Sequence, residues 1–144
     1  MPSRSHQWLV LWVARKMAQD GYRVTNVDGA VPQGGYLNQL NGSLSLGDLR
    51  PDVWGVAKDG SIALGEAKTR DDVPSAHTVA QLRRFCAFRP SPGNPAARLY
   101  VGVPRSCTKL LDHALQRAGM AAARNVVRLH IPDVILEVGD ESDG

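Results

Sequence analysis

The sequence predicts an α/β domain in which helices flank a mixed central β-sheet. Two observations lead to this class: helix-length and strand-length apolar segments alternate along the chain, and a β-hairpin signal stands among them at residues 50–69. The 144-residue chain is 43% hydrophobic and 22% charged, which fits one globular domain. We assign that domain to residues 1–136 and expect the acidic residues 137–144 to form a disordered tail.

The N-terminal part is predicted to form a helix, a strand and a long loop. Ser3 or Ser5 can cap a helix over residues 6–20, whose apolar residues spread wider than one stripe and indicate burial on more than one side. Residues 22–27 alternate in polarity, as a strand does. Residues 28–48 are rich in Gly, Asn, Gln and Ser, and they predict a loop.

Residues 50–69 carry the clearest local signal, two strands over 50–57 and 61–69 around a short turn. A two-residue turn would place Asp52 opposite Ala67. A three-residue loop with Gly60 in the left-handed conformation would instead place Asp52 opposite Glu66. The second register also leaves small side chains on the other face, where a helix can pack closely. Both considerations favour the three-residue loop.

The second half of the chain predicts two more helices and three more strands. They are a helix over 75–88, a strand over 99–103, a helix capped by Ser106 that ends near Gly119, and strands over 126–131 and 134–138. The predicted order of elements is therefore α-β-β-β-α-β-α-β-β.

Charge and composition narrow the class of partner. Four of the 14 acidic residues lie in the last eight positions, which hold none of the 17 Lys and Arg, so residues 1–136 carry a formal net charge of +7 (17 basic against 10 acidic). Such an excess favours a polyanion, and nucleic acid is the usual one. No apolar run reaches the ~18–20 residues of a membrane span, so we expect no membrane partner. The two cysteines form no C-x-x-C motif and are typical of reduced thiols in a cytoplasmic protein.

Three ionisable residues interrupt the apolar hairpin: Asp52, Glu66 and Lys68. Charges in a sheet core are costly unless they are paired or bind a metal. In the favoured register the two carboxylates lie opposite each other, and Lys68 shares a face with Glu66 because strand side chains alternate. Two carboxylates can bind Mg²⁺, with Mn²⁺ as a substitute, and the lysine can orient water or stabilise charge on phosphorus. We therefore predict a metal-dependent phosphodiesterase site.

The same residues resemble a known family. Pro51-Asp52, thirteen intervening residues and then Glu66-Ala67-Lys68 are similar to the signature of the PD-(D/E)xK phosphodiesterase superfamily, which has the restriction-endonuclease-like fold. The order helix, strand, hairpin, helix, strand also resembles that family's core. Gln81-Leu82-Arg83-Arg84-Phe85 is similar to the Q-x-x-x-Y element of the RecB-like branch, with Phe in place of Tyr. The resemblance implies that Asp52 and Glu66 bind the metal, Lys68 is catalytic, and Gln81 lies near the metal or the scissile phosphate.

One feature departs from the family pattern. Many members carry a glutamate on the first helix as a further metal ligand, but residues 6–20 contain no Glu. His6 or Gln7 stands near the equivalent place, and His6 is a candidate nucleic-acid contact or weak ligand. Arg70 and Arg84 are further candidates for contact with the nucleic-acid backbone, because the guanidinium donates two parallel hydrogen bonds to phosphate.

The sequence thus predicts a Mg²⁺-dependent DNA nuclease, an endonuclease in preference to an exonuclease, with low sequence specificity or with selectivity for DNA structure. A homodimer is expected from size, because so small a chain needs two sites to cut both strands. Two alternatives stay open. One is a non-catalytic nucleic-acid-binding or regulatory module on the same fold, and the other is a Holliday-junction resolvase.

Overall fold

The computed structural model describes residues 3–27, 49–91 and 93–136. Three helices and five strands follow one another in the order α-β-β-β-α-β-α-β within these ranges. They are α1 (Arg4–Gln19), β1 (Arg23–Val27), β2 (Val53–Val56), β3 (Ile62–Ala67), α2 (Ala76–Ala87), β4 (Arg98–Pro104), α3 (Thr108–Arg117) and β5 (Val126–Ile131). None of the described helices is long and apolar enough to cross a membrane.

The five strands form one mixed sheet in the order β1-β2-β3-β4-β5. The pairs β1–β2 and β2–β3 are antiparallel, whereas the pairs β3–β4 and β4–β5 are parallel. The parallel pairs need crossover connections, which α2 and α3 provide. The predicted class, a mixed α/β fold with helices on a central sheet, is confirmed. The element order also agrees with the core that the family resemblance implies.

The hairpin has the three-residue loop that the sequence favours. Trp54 pairs with Leu64 and Val56 with Ile62, and the glycine of the loop, Gly60, has φ +88°. Continuing this register by one pair beyond the strand ends places Asp52 opposite Glu66. The left-handed glycine is thus what brings the two carboxylates to the same face.

Helix α1 covers the face of the sheet that carries small side chains. A Cβ added at Gly65 would lie 2.7 Å from Val13 Cγ1, and one added at Gly102 would lie 2.5 Å from Val13 Cγ2. Val13 therefore sits between two glycines on neighbouring strands, and no larger residue fits at either position without a shift. The predicted close helix packing on this face is confirmed.

Helices α2 and α3 cover the opposite face, where the larger core side chains lie. Trp54, Leu64 and Leu99 are completely buried there, together with Leu82 of α2 and Leu115 of α3. Alternation along β2 and β3 puts Asp52, Glu66 and Lys68 on this same face, one step beyond the apolar residues. The functional candidates therefore lie where the apolar core ends.

Three predictions about elements need correction. Residues 133–136 form a helical turn rather than the start of a strand, since Asp133 turns back to bind Ser106. Ser106 does not cap α3: it lies in a 3₁₀ turn (Arg105–Cys107), and Cys107 stands at the cap position. Helix α1 buries one stripe only, and Trp8 is 38% exposed on its other side. The predictions for residues 28–48 and 137–144 lie outside the described residues.

Candidate active site

The candidate residues come together at one edge of the sheet. β3, β4 and β5 run parallel and end at this edge, while the antiparallel β2 begins there. Asp52 directly precedes β2, Glu66 is the next-to-last residue of β3, and Lys68 directly follows that strand. The first turn of α1 reaches the same edge. The β2–β3 hairpin, α1 and, through Gln81, α2 thus contribute to one site.

Asp52 is the better solvated carboxylate of the pair, with a side chain 17% exposed. Its Oδ2 accepts a hydrogen bond of 2.9 Å from the backbone N–H of Ala67. The same oxygen lies 3.3 Å from His6 Nε2, which donates to it. Burial raises the pKa of Asp52, but the hydrogen bonds from His6, Glu66 and Ala67 outweigh that effect and lower the pKa below its ordinary value. Asp52 is therefore the ionised member of the pair.

Glu66 is 2% exposed, one of two buried polar or charged residues in the described chain. Burial raises its pKa well above the ordinary value, and the hydrogen bond and negative charge of Asp52 raise it further. The positive charge of Lys68 and the backbone N–H of Asp52 act in the opposite direction but do not compensate. Glu66 is therefore the member of the pair that keeps a proton more readily.

Lys68 and Gln81 are in direct contact, although thirteen positions separate them in the sequence. Lys68 Nζ donates a hydrogen bond to Gln81 Oε1, and Lys68 N donates to the Gly102 carbonyl at 3.0 Å. The backbone bond fixes the lysine at the end of β3, and the side-chain bond aims its ammonium toward α2. Gln81 is thus placed beside the lysine that the sequence predicts to be catalytic.

The donor set fits a small hard cation. Oε2 of Glu66 is buried and has no hydrogen-bond partner in the described part of the chain, which is costly for a carboxyl oxygen unless a ligand satisfies it. A divalent cation between the two carboxylates would favour the ionised form of both. The part of the chain that the structure describes contains no group of three or more His, Cys, Asp and Glu side chains that could hold a metal. Mg²⁺ needs only one or two carboxylates, with water and phosphate oxygens completing its shell.

His6 lies beside the carboxylate pair rather than on an outer surface. Its side chain is 20% exposed, and it reaches Asp52 from the first turn of α1. Ser3 caps this helix by accepting a hydrogen bond from the His6 N–H at 3.1 Å, so the cap and the site residue are joined. Of the two residues near the helix start, His6 is therefore the one seen in contact with Asp52.

The two arginines predicted from the sequence lie on different sides of the site. Arg70 is 58% exposed and donates to Ser106, and its Nη2 lies 3.8 Å from Asp133 Oδ2. Arg84 is exposed on α2, one turn beyond Gln81. The Ser106–Asp133 contact could not be predicted from the sequence. Ser106 follows β4 and Asp133 follows β5, and no local pattern shows that these two strands pair in parallel.

Comparisons with known proteins give one structural likeness. No protein-family model matches the chain, and no curated protein matches it. Among solved structures, the chain is similar to a repair endonuclease from Pyrococcus abyssi, at 14% identity and a TM-score of 0.45. The match covers 92% of this chain and 48% of that one, so the present chain spans about half the length of that protein.

Proposed function

We propose that this protein is a metal-dependent nuclease that hydrolyses phosphodiester bonds of DNA. The observation that carries the proposal is the Asp52–Glu66 pair. The two carboxylates lie opposite each other at the edge of the core, and a buried oxygen of Glu66 has no hydrogen-bond partner among the described residues. Burial and the nearby Asp52 carboxylate raise the pKa of Glu66, and Lys68 does not offset this effect. A ligand that brings positive charge would relieve the repulsion between the two carboxylates.

The two carboxylates have distinct roles in this account. Glu66 is held rigidly within β3, so it would act as the fixed ligand. Asp52 opens toward solvent and is positioned by His6 and the Ala67 N–H, so it would bind the same cation from the substrate side. When bound, Mg²⁺ or Mn²⁺ would polarise the phosphoryl oxygen and lower the pKa of a water molecule.

Lys68 supplies the positive charge that the chain itself brings to the reacting phosphate. Its ammonium can orient the attacking water or stabilise the charge that develops on the phosphoryl oxygens. Gln81 accepts a hydrogen bond from this ammonium and limits its rotamers, which keeps it near the carboxylates. Removal of Gln81 should therefore lower the rate less than removal of Lys68 does.

The experiment that tests this function is cleavage of a panel of substrates with Mg²⁺ or Mn²⁺. The panel contains supercoiled plasmid, linear duplex, single-stranded DNA, a four-way junction and RNA. We expect metal-dependent cutting of DNA by the wild type, with internal cuts in the closed plasmid, and a loss of about 100-fold or more in Asp52→Asn and Lys68→Ala. A four-way junction cut in strong preference to duplex, by a dimer, would identify a junction resolvase.

One observation favours a second candidate, a non-catalytic nucleic-acid-binding module. His6, rather than a carboxylate, contacts Asp52 from α1, so the described site has one negative ligand fewer than the family pattern implies. In that case DNA binding would persist with EDTA, no substrate of the panel would be cut, and Lys68→Ala would leave the protein's biological effect unchanged.

A further inference from the structure

A cleft of about 250 Å³ adjoins the candidate site on the side of α2. One wall is the segment just before Asp52, and the other is α2. Its lining residues are Leu49, Arg50, His77, Gln81, Arg84 and Phe85. Gln81 belongs to both places, because it lines the cleft and accepts the hydrogen bond from Lys68. The cleft is therefore continuous with the proposed site of cleavage.

The polar residues of α2 in this cleft lie on one face of the helix. His77, Gln81 and Arg84 follow the spacing i, i+4, i+7, which aligns them along the helix. The opposite face is apolar and buried, with Val79, Leu82 and Cys86 packed against the sheet. The helix thus presents a row of three hydrogen-bonding side chains to the cleft.

The charge of this cleft differs from that of the pocket on the other side of the site. Its described lining residues include two arginines and a histidine, and none of the described ones is a carboxylate. The pocket around Arg70, of about 470 Å³, includes two carboxylates, Asp71 and Asp133. Arg70 Nη2 lies 3.8 Å from Asp133 Oδ2, and Arg70 donates to Ser106. Of the two pockets, the α2 cleft has the larger excess of basic over acidic side chains among its described lining residues.

We propose that the α2 cleft binds the phosphate backbone of the DNA strand next to the scissile bond, with Arg50 and Arg84 as its phosphate contacts. This inference rests on the proposed function, and it adds the path of the strand. The strand leaves the carboxylate pair past Lys68 and Gln81 and runs along α2, rather than past Arg70. Contacts of this kind give affinity and register without reading sequence.

The chain offers a matched control for this proposal. Arg83 is the neighbour of Arg84 on α2, is also exposed and carries the same charge. Its guanidinium points away from the cleft and donates to the Ala118 carbonyl at 3.4 Å and the Arg117 carbonyl at 3.2 Å. Arg83→Gln and Arg84→Gln therefore remove equal charge from one helix on two different sides.

The test is binding of a fluorescein-labelled 20-nucleotide single strand and of its duplex, measured by anisotropy in EDTA over a range of salt concentrations. We expect Arg84→Gln to weaken binding about tenfold at low salt. The plot of log binding constant against log[salt] should become less steep, by about 0.7 for the single strand and about 0.9 for the duplex, as expected for one lost phosphate contact. Arg50→Gln should behave similarly, and Arg84→Lys should recover most of the slope. Arg83→Gln should stay within about twofold of wild type, with melting curves confirming that each variant is folded.

Equal effects of Arg84→Gln and Arg83→Gln would overturn the proposal, and so would an unchanged Arg84→Gln beside a weakened Arg70→Gln. Plasmid cleavage by the wild type in Mg²⁺ separates this failure from failure of the proposed function. If the wild type cuts and Arg84→Gln binds like Arg83→Gln, the cleft assignment is wrong and the nuclease stands. If the wild type cuts nothing and only Arg84→Gln weakens binding, the cleft assignment holds and the nuclease fails.

Discussion

The two faces of the β2–β3 hairpin differ in character: one packs small apolar side chains closely, and the other ends in charged residues. The face toward α1 carries small apolar side chains, and Val13 fits between Gly65 and Gly102 without room to spare. The face toward α2 ends in Asp52, Glu66 and Lys68, where a carboxyl group is buried beside another. Close packing on the first face stabilises the fold, whereas burial of a carboxyl group beside another on the second face destabilises it. This difference is the one expected if the charged end serves the metal ligand proposed above rather than the stability of the fold.

Glu66→Gln should have the largest effect, because it should raise the stability of the metal-free protein and lower the rate of cleavage. The amide keeps the shape of the side chain but removes the carboxyl group whose pKa the fold raises, so metal-free protein should melt at a higher temperature near neutral pH, where the unfolded chain would ionise Glu66. Metal-dependent cleavage should fall about 100-fold or more, because a fixed ligand is lost. Thermal melts in EDTA and plasmid cleavage in Mg²⁺ measure the two effects. A lower melting temperature, as a structural role of the carboxylate would give, would contradict this account.

Gly102→Ala should produce the second largest effect, on stability alone. The added methyl group would lie 2.5 Å from Val13 Cγ2, and Val13 cannot retreat because Gly65 confines it on the other side. We expect a loss of about 1–3 kcal/mol in the free energy of unfolding, measured with urea. The double variant Gly102→Ala/Val13→Ala should recover part of that loss. An additive loss in the double variant would show that the contact is not the cause.

The raised pKa of Glu66 should also make the free energy of unfolding depend on pH, with an effect smaller than the two above. The pKa of Glu66 is raised in the folded protein by burial and by Asp52, above its ordinary value of 4.5. Above that value the unfolded chain releases a proton that the folded protein keeps, so stability falls as pH rises through the folded pKa of Glu66. The fall should be absent in Glu66→Gln, and Mg²⁺ should reverse it in the wild type. Urea unfolding in EDTA and in Mg²⁺ across this pH range checks the sign.

Tyr100→Phe should have the smallest effect and concerns only the α1 face. The Tyr100 hydroxyl donates to Asp20 Oδ2 at 2.6 Å and so ties β4 to the end of α1. Burial, with the Asp20 hydrogen bond, raises the pKa of Tyr100 to about 12. Because Asp20 is largely solvated, we expect a loss of about 0.5–1 kcal/mol in unfolding free energy and no change in cleavage rate. A marked loss of cleavage would show that the two faces are not independent.

Local patterns in the sequence predict most of the fold. Polarity alternation and the Lys58-Asp59-Gly60 loop define the hairpin, including its register, because both signals depend on residues close together in the chain. The end of the chain was predicted less well. Residues 134–136 have strand-forming composition, but Asp133 binds Ser106 across the sheet edge, and this distant contact favours a helical turn.

The candidate site was predicted through its charges, and its completion depends on distant contacts. Asp52, Glu66 and Lys68 stand out because charge is rare inside an apolar hairpin. The contact of His6 with Asp52 depends on how α1 crosses the sheet, and no spacing in the sequence encodes that angle. The cleft beside Gln81 likewise forms between α2 and residues 49–50, so its arginines cannot be told from other surface arginines by sequence alone.

Electron paramagnetic resonance of Mn²⁺ is the measurement that decides whether Asp52 and Glu66 together bind a divalent cation. We expect the folded wild type to bind Mn²⁺ saturably in the presence of a DNA oligonucleotide. Excess Mg²⁺ should displace the Mn²⁺, and Asp52→Asn and Glu66→Gln should each abolish its binding. Binding of the same strength in wild type and both variants, or no binding to the wild type with DNA present, would contradict this expectation.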